Sequence, residues 1–93
     1  MKVPLRFSIL GYLIDRTRPA TSQDVFEGLN SQYGRERQFN MPFIENHLDS
    51  LRGVGIIEVV DAVEEADNLI LSYQVTNYGR SRGRYLPQFN AEN

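Results

Sequence analysis

The stretch that most constrains this chain runs from Asn40 to Glu58, with the sequence NMPFIENHLDSLRGVGIIE. Asn40 is a residue type that caps helices, and Pro42 falls in a first turn, where a missing N–H costs nothing. Ile44, Leu48 and Leu51 recur at helical spacing, while Glu45, Asn46, Asp49 and Arg52 fall on other faces. Gly53 and Gly55 stop the helix. The β-branched run Ile56-Ile57-Glu58-Val59-Val60 then begins a strand. A short capped helix that ends at glycine and feeds directly into a hairpin is the element around which the remaining segments must pack.

The segments on either side supply the partners. Pro4 to Asp15 reads as a first helix with Leu5, Ile9, Leu10, Leu13 and Ile14 as its apolar stripe; Gly11 inside it suggests close packing. Residues 16–20 read as a polar connector broken by Pro19. Thr21 or Ser22 caps a second helix, which buries Val25, Phe26, Leu29 and Tyr33 and ends at Gly34. Residues 34–40 bridge to the third helix, with Phe39 as a plug for the core. Beyond Gly55, the first wing strand is expected over residues 56–63 and a polar turn over 64–68. A second strand follows over 69–75, where Leu69, Leu71, Tyr73 and Val75 alternate with Ile70, Ser72 and Gln74. Thr76 can cap a last helix carrying Tyr78, Arg80, Arg82, Arg84 and Leu86, closed by Pro87. The expected architecture is α+β and mostly helical: three helices, a two-stranded wing and a short C-terminal helix, in one domain over residues 1–93.

Composition removes several function classes. Zero cysteines exclude disulfides and thiolate zinc sites, and one histidine cannot complete a transition-metal site. His47 therefore reads as structural. No nucleophile–base arrangement, phosphate-cradling glycine loop or paired carboxylates in a cleft is evident, so neither catalysis nor a cofactor is expected. The acidic run Glu64, Glu65 and Asp67 reads as a solvated turn rather than a cation site. With no signal-peptide pattern and no long apolar run, a cytoplasmic protein with no membrane partner is expected. The net charge is −2. It is unevenly spread: residues 1–40 carry +2, residues 41–75 carry −6, and residues 76–93 carry +2.

Three motifs together resemble a known family. Leu48-Asp-Ser-Leu51 with Val54-Gly-Ile-Ile-Glu58 resembles the helix-to-wing junction of winged helix regulators. Residues 73–80, YQVTNYGR, look like the segment that follows the wing in PadR-like and, second, MarR-like repressors. Residues 7–13, FSILGYL, are similar to the opening of PadR-like proteins. The resemblance implies a winged helix-turn-helix transcriptional regulator that binds double-stranded DNA as a homodimer. Three features depart from the family pattern. Ile44, Glu45 and Asn46 stand where a small residue, an aromatic and a proline are usual, and Glu64, Glu65 and Asp67 occupy a wing that is commonly basic. Little sequence follows the wing in which to place a long dimerisation helix.

Under this reading the DNA-binding candidates are Arg35, Arg37, Gln38 and Asn40 before the third helix, and Asn46 and Ser50 on it. Arginine brings charge and a bidentate fork for phosphate or guanine, and asparagine can pair bidentately with adenine. Each also has a plainer reading as solvated surface. Arg80, Arg82 and Arg84 could touch a DNA backbone, meet the acidic middle of a second subunit, or simply solubilise the tail. Tyr12 and Phe43 are candidates for an apolar dimer patch. The competing hypothesis is a winged helix protein-interaction module whose acidic helix and wing meet a basic protein partner.

Overall fold

In the computed structural model, which describes residues 4–83, the elements run α1 (Leu5–Asp15), β1 (Ala20–Thr21), α2 (Ser22–Tyr33), α3 (Met41–Gly53), β2 (Ile57–Glu65), β3 (Asn68–Val75) and α4 (Asn77–Gly83). The three larger helices pack on one another and on an antiparallel sheet of order β1-β3-β2. Their shared core includes Ile9, Leu10 and Leu13 of α1, Val25, Leu29 and Tyr33 of α2, Ile44, Leu48 and Leu51 of α3, and Ile57, Tyr73 and Val75 of the sheet. Gly11 is buried with the α1 stripe. The α+β winged helix expected from the sequence is therefore present. Among the described residues, no helix is long and apolar enough to cross a membrane.

Local chemistry explains where the helices begin and end. Thr21 and Asp24 form a reciprocal capping box at α2: the Asp24 N–H donates to Thr21 Oγ1 at 3.1 Å, and the Thr21 N–H donates to Asp24 Oδ2 at 3.0 Å. At α3 the Phe43 N–H donates to Asn40 Oδ1 at 3.1 Å. The far end of α3 closes in a Schellman arrangement. The Ile56 N–H reaches the Leu51 carbonyl and the Gly55 N–H reaches the Arg52 carbonyl, each at 3.0 Å. Gly55 makes this possible with φ +82, a left-handed conformation that costs glycine nothing. Gly53 remains the last helical residue rather than part of the stop.

Thr76 caps α4 as expected, accepting from the Gly79 N–H at 2.9 Å while its own hydroxyl lies 2.7 Å from the Gly55 carbonyl oxygen. This bond ties α4 to the α3–β2 junction. A Cβ at Gly79 would collide with the Ile56 carbonyl, so the glycine that weakens α4 as a helix also lets it approach. Arg84, Leu86 and Pro87, expected in the last helix, lie outside the described residues.

The sheet departs from expectation in three ways. Residues 16–20 are not wholly connector: Ala20 and Thr21 pair with Tyr73 and Ser72, which makes the sheet three-stranded. Two residues show no periodicity, so only tertiary pairing could reveal this strand. The strands are also longer and the turn shorter than expected, because Glu64 pairs with Leu69 and Glu65 with Asn68. Ala66 and Asp67 alone make the connection, with φ +48 and +68. A two-residue hairpin loop of type I′ requires such a pair of positive φ angles, usually at asparagine, aspartate or glycine. Finally, the alternating strand is not buried along its length. Tyr73 and Val75 are in the core, but Leu69 is 64% exposed because the hairpin projects beyond the helices that cover its base.

Candidate nucleic-acid interface

The connector before α3 is short of regular structure but firmly held. The Glu36 N–H donates to the Tyr33 carbonyl at 2.9 Å and the Phe39 N–H to the Glu36 carbonyl at 3.0 Å. Phe39 is buried and stacks on Phe26, with ring centroids 4.8 Å apart, and on Tyr33 at 6.1 Å. This anchor leaves Arg35, Arg37 and Gln38 exposed at the surface. Arg35 and Arg37 have no ion-pair partner among the described residues. Asn40 is engaged at both ends of its amide, capping α3 through Oδ1 and donating from Nδ2 to the Arg37 carbonyl at 3.3 Å. Its side chain thereby sets the angle between the arginine loop and the helix.

At 3.6 residues per turn, the outward surface of α3 divides into two flanks. Phe43, Asn46 and Ser50 form one, exposed and uncharged; Glu45, Asp49 and Arg52 form the other, also exposed. Glu45 and Asp49 of the second flank line a cleft of about 610 Å³ whose other walls are the start of α2, from Thr21 to Gln23, and β3 from Asn68 to Leu71. Tyr73 closes the inner side. Its pKa is raised, first by burial and then by the carboxylate of Asp49, with Arg52 acting in the opposite sense and Glu45 adding a small rise. The acidity of α3 thus faces the hairpin, whereas Asn46 and Ser50 lie on the flank away from it.

On the inner edge of α3, His47 is half-buried and accepts a hydrogen bond at Nδ1 from Arg6 Nε at 3.0 Å. This bond joins α3 to α1 and requires a neutral imidazole with its proton on Nε2. Burial, and secondarily the Arg6 charge, lower the His47 pKa below its usual value, which favours the accepting form. The structural role expected of His47 is the one it occupies.

Sequence reasoning missed a second basic groove of about 380 Å³, lined by residues 13–18, Gln74 and Arg80. Arg16 donates to the Tyr12 hydroxyl at 2.7 Å and lies over the Tyr12 ring, 5.3 Å from its centroid. Arg80 Nη1 donates to the Ile14 carbonyl at 3.3 Å. These cations stand at the carboxyl end of α1, where the helix dipole favours positive charge. The signal was present in Arg16 and Arg18 flanking a helix end, but Arg80 is distant in sequence. Of the two residues expected to form an apolar dimer patch, Phe43 is 41% exposed, whereas Tyr12 is only partly so and packs on the core.

No family model matches the sequence, and no curated protein matches it. Among solved structures, the chain is similar to PadR of Bacillus subtilis in complex with operator DNA. The TM-score is 0.68 at 20% sequence identity, over 86% of this chain and 45% of PadR. The chain thus spans less than half the length of that protein. Its likeness is one of fold, and the fold is the winged helix that PadR also has.

Proposed function

We propose that the protein is a sequence-specific DNA-binding transcriptional regulator of the PadR kind, working in the cytoplasm as a homodimer on a pseudo-palindromic site. The observation that carries this reading is the arrangement around α3. A pinned loop bearing two arginines that have no ion-pair partner among the described residues stands beside a helix whose flank away from the hairpin is uncharged. In this reading α3 enters the major groove and its partner's α3 enters one DNA turn away, roughly 34–36 Å along the duplex. Arg35 and Arg37 hold phosphates, with Gln38 beside them. Asn46 and Ser50 meet base edges, and Asn40 fixes the helix they project from. Likeness to a winged helix solved on operator DNA supports the assignment.

The test is an anisotropy titration of the protein on DNA from upstream of its own gene, repeated across salt concentrations. Saturable binding at low salt that weakens steeply as salt rises is expected. Changing Arg35 and Arg37 together to alanine should flatten the log–log salt slope by about 0.9 for each phosphate contact removed. Absence of binding at low salt sinks the reading.

A protein-interaction module is the second reading. It is favoured by one observation: Glu45 and Asp49 line the cleft while Glu58, Asp61, Glu64, Glu65 and Asp67 are all exposed on the hairpin. A stable complex with a basic protein that survives nuclease treatment, together with no DNA binding, would favour it.

A further inference from the structure

The cleft between α3 and the hairpin has walls of two chemistries. Glu45 and Asp49 stand one helical turn apart, exposed, and neither has an ion-pair partner among the described residues. Met41, Leu69 and Leu71 line it with apolar surface, and Leu69 is 64% exposed there. Tyr73 is only 5% exposed and lines the cleft, yet no described residue offers its hydroxyl a hydrogen bond. Buried tyrosine hydroxyls ordinarily have a partner. The influence of Asp49 and Glu45 on that hydroxyl places it within the field of both carboxylates.

These features specify an occupant. A neutral or anionic ligand would cover two carboxylates without compensating them, which is costly. A bare metal ion would leave the leucines wet and satisfy nothing on that wall. An ammonium group has three donors and no acceptor, matching two carboxylates and one hydroxyl oxygen. An aliphatic stem attached to it would cover the leucines. The volume, about 610 Å³, is in the range of small-molecule sites.

We propose that this cleft binds a small organic cation, a primary ammonium on an aliphatic stem. Its nitrogen lies between Glu45 and Asp49, within reach of Tyr73, and its stem lies along Met41, Leu69 and Leu71. The site belongs to the free protein, so its test involves no DNA and its failure is separable from failure of the regulator reading. Hexylammonium titrated into the whole chain and followed by NMR should give saturable shifts at Tyr73 and Leu69, with a dissociation constant on the order of millimolar. Hexanoate and ammonium chloride, which keep only the stem or only the charge, should not saturate. The double variant Glu45→Gln/Asp49→Asn, altered only at exposed positions, should bind hexylammonium at least about tenfold more weakly. Tyr73→Phe keeps the buried ring and should weaken binding by about threefold. Equal binding of hexanoate, shifts that map away from the cleft, or unchanged affinity in the double variant would each overturn the proposal.

Discussion

Ile44, Leu48 and Leu51 leave α3 on one side, none more than 5% exposed, while Glu45, Asn46, Asp49 and Ser50 leave it on the other and are all exposed. The two sides answer to different physics. The buried side must fill a volume shared with α1, α2 and the sheet, so its residue types are narrowly restricted. The exposed side has no such obligation, and its charges are distributed by what lies across from them. The residues of α3 that hold the fold are therefore not the ones proposed to meet DNA or a cation, and each set should be alterable with little effect on the other.

The largest effect should come from the buried side. Leu48→Ala removes a side chain with 0% exposure from the centre of the core and should lower the unfolding free energy by about 2–5 kcal/mol. That is much of the stability of a small domain. Asn46→Ala, two positions earlier, should stay within about 0.5 kcal/mol in the same denaturant titration. Comparable losses at the two positions would break the distinction between the sides.

A smaller effect is expected where the two sides meet, at the cap. Asn40→Ala leaves the Phe43 N–H without its side-chain acceptor and frees the arginine loop, at a cost of about 1 kcal/mol. Asn40→Asp retains the capping oxygen and should recover most of that in thermal melts. Full loss in both variants would show that the donation to Arg37, rather than the cap, matters.

The smallest effect concerns His47. Its pKa is lowered in the folded chain from a usual value near 6.5, so between those pH values the unfolded chain binds the proton more tightly. Its contribution is present above pH 6.5 and is lost as pH falls through the lower folded value. Wild-type stability should consequently drop between pH 7.5 and 5 by more than that of His47→Gln, which has no proton to gain. Identical pH profiles for the two proteins would remove His47 as the cause.

Much of this was legible in the residues. The cap at Asn40, the stripe of Ile44, Leu48 and Leu51, the stop at Gly55 and a cap at Thr21 or Ser22 are local features, decided within a few bonds or one helical turn. So was the candidate loop, since Phe39 between polar residues can serve only as an anchor. The hairpin was less legible. The register slips between Val59 and Asp61, so the sheet face that β2 presents at the odd positions Ile57 and Val59 passes to the even position Ala62, opposite Leu71 and exposed. A bulge of this kind leaves an extra residue, here Val60, outside the alternation that strand recognition depends on. The turn at Ala66 and Asp67 lacks the glycine that usually marks positive φ.

By itself the sequence determined that a capped amphipathic helix would run into a hairpin and bury one side, because hydrogen bonds and hydrophobic periodicity act over short spans. Tertiary structure alone decided that Ala20 and Thr21 extend the sheet, and that Arg80 reaches the end of α1. It also decided that Glu45 and Asp49 face a cleft walled by β3 while Asn46 and Ser50 do not. Those relations join segments far apart in the chain, and the direction in which a charged flank points depends on the crossing of whole elements, which no local pattern encodes.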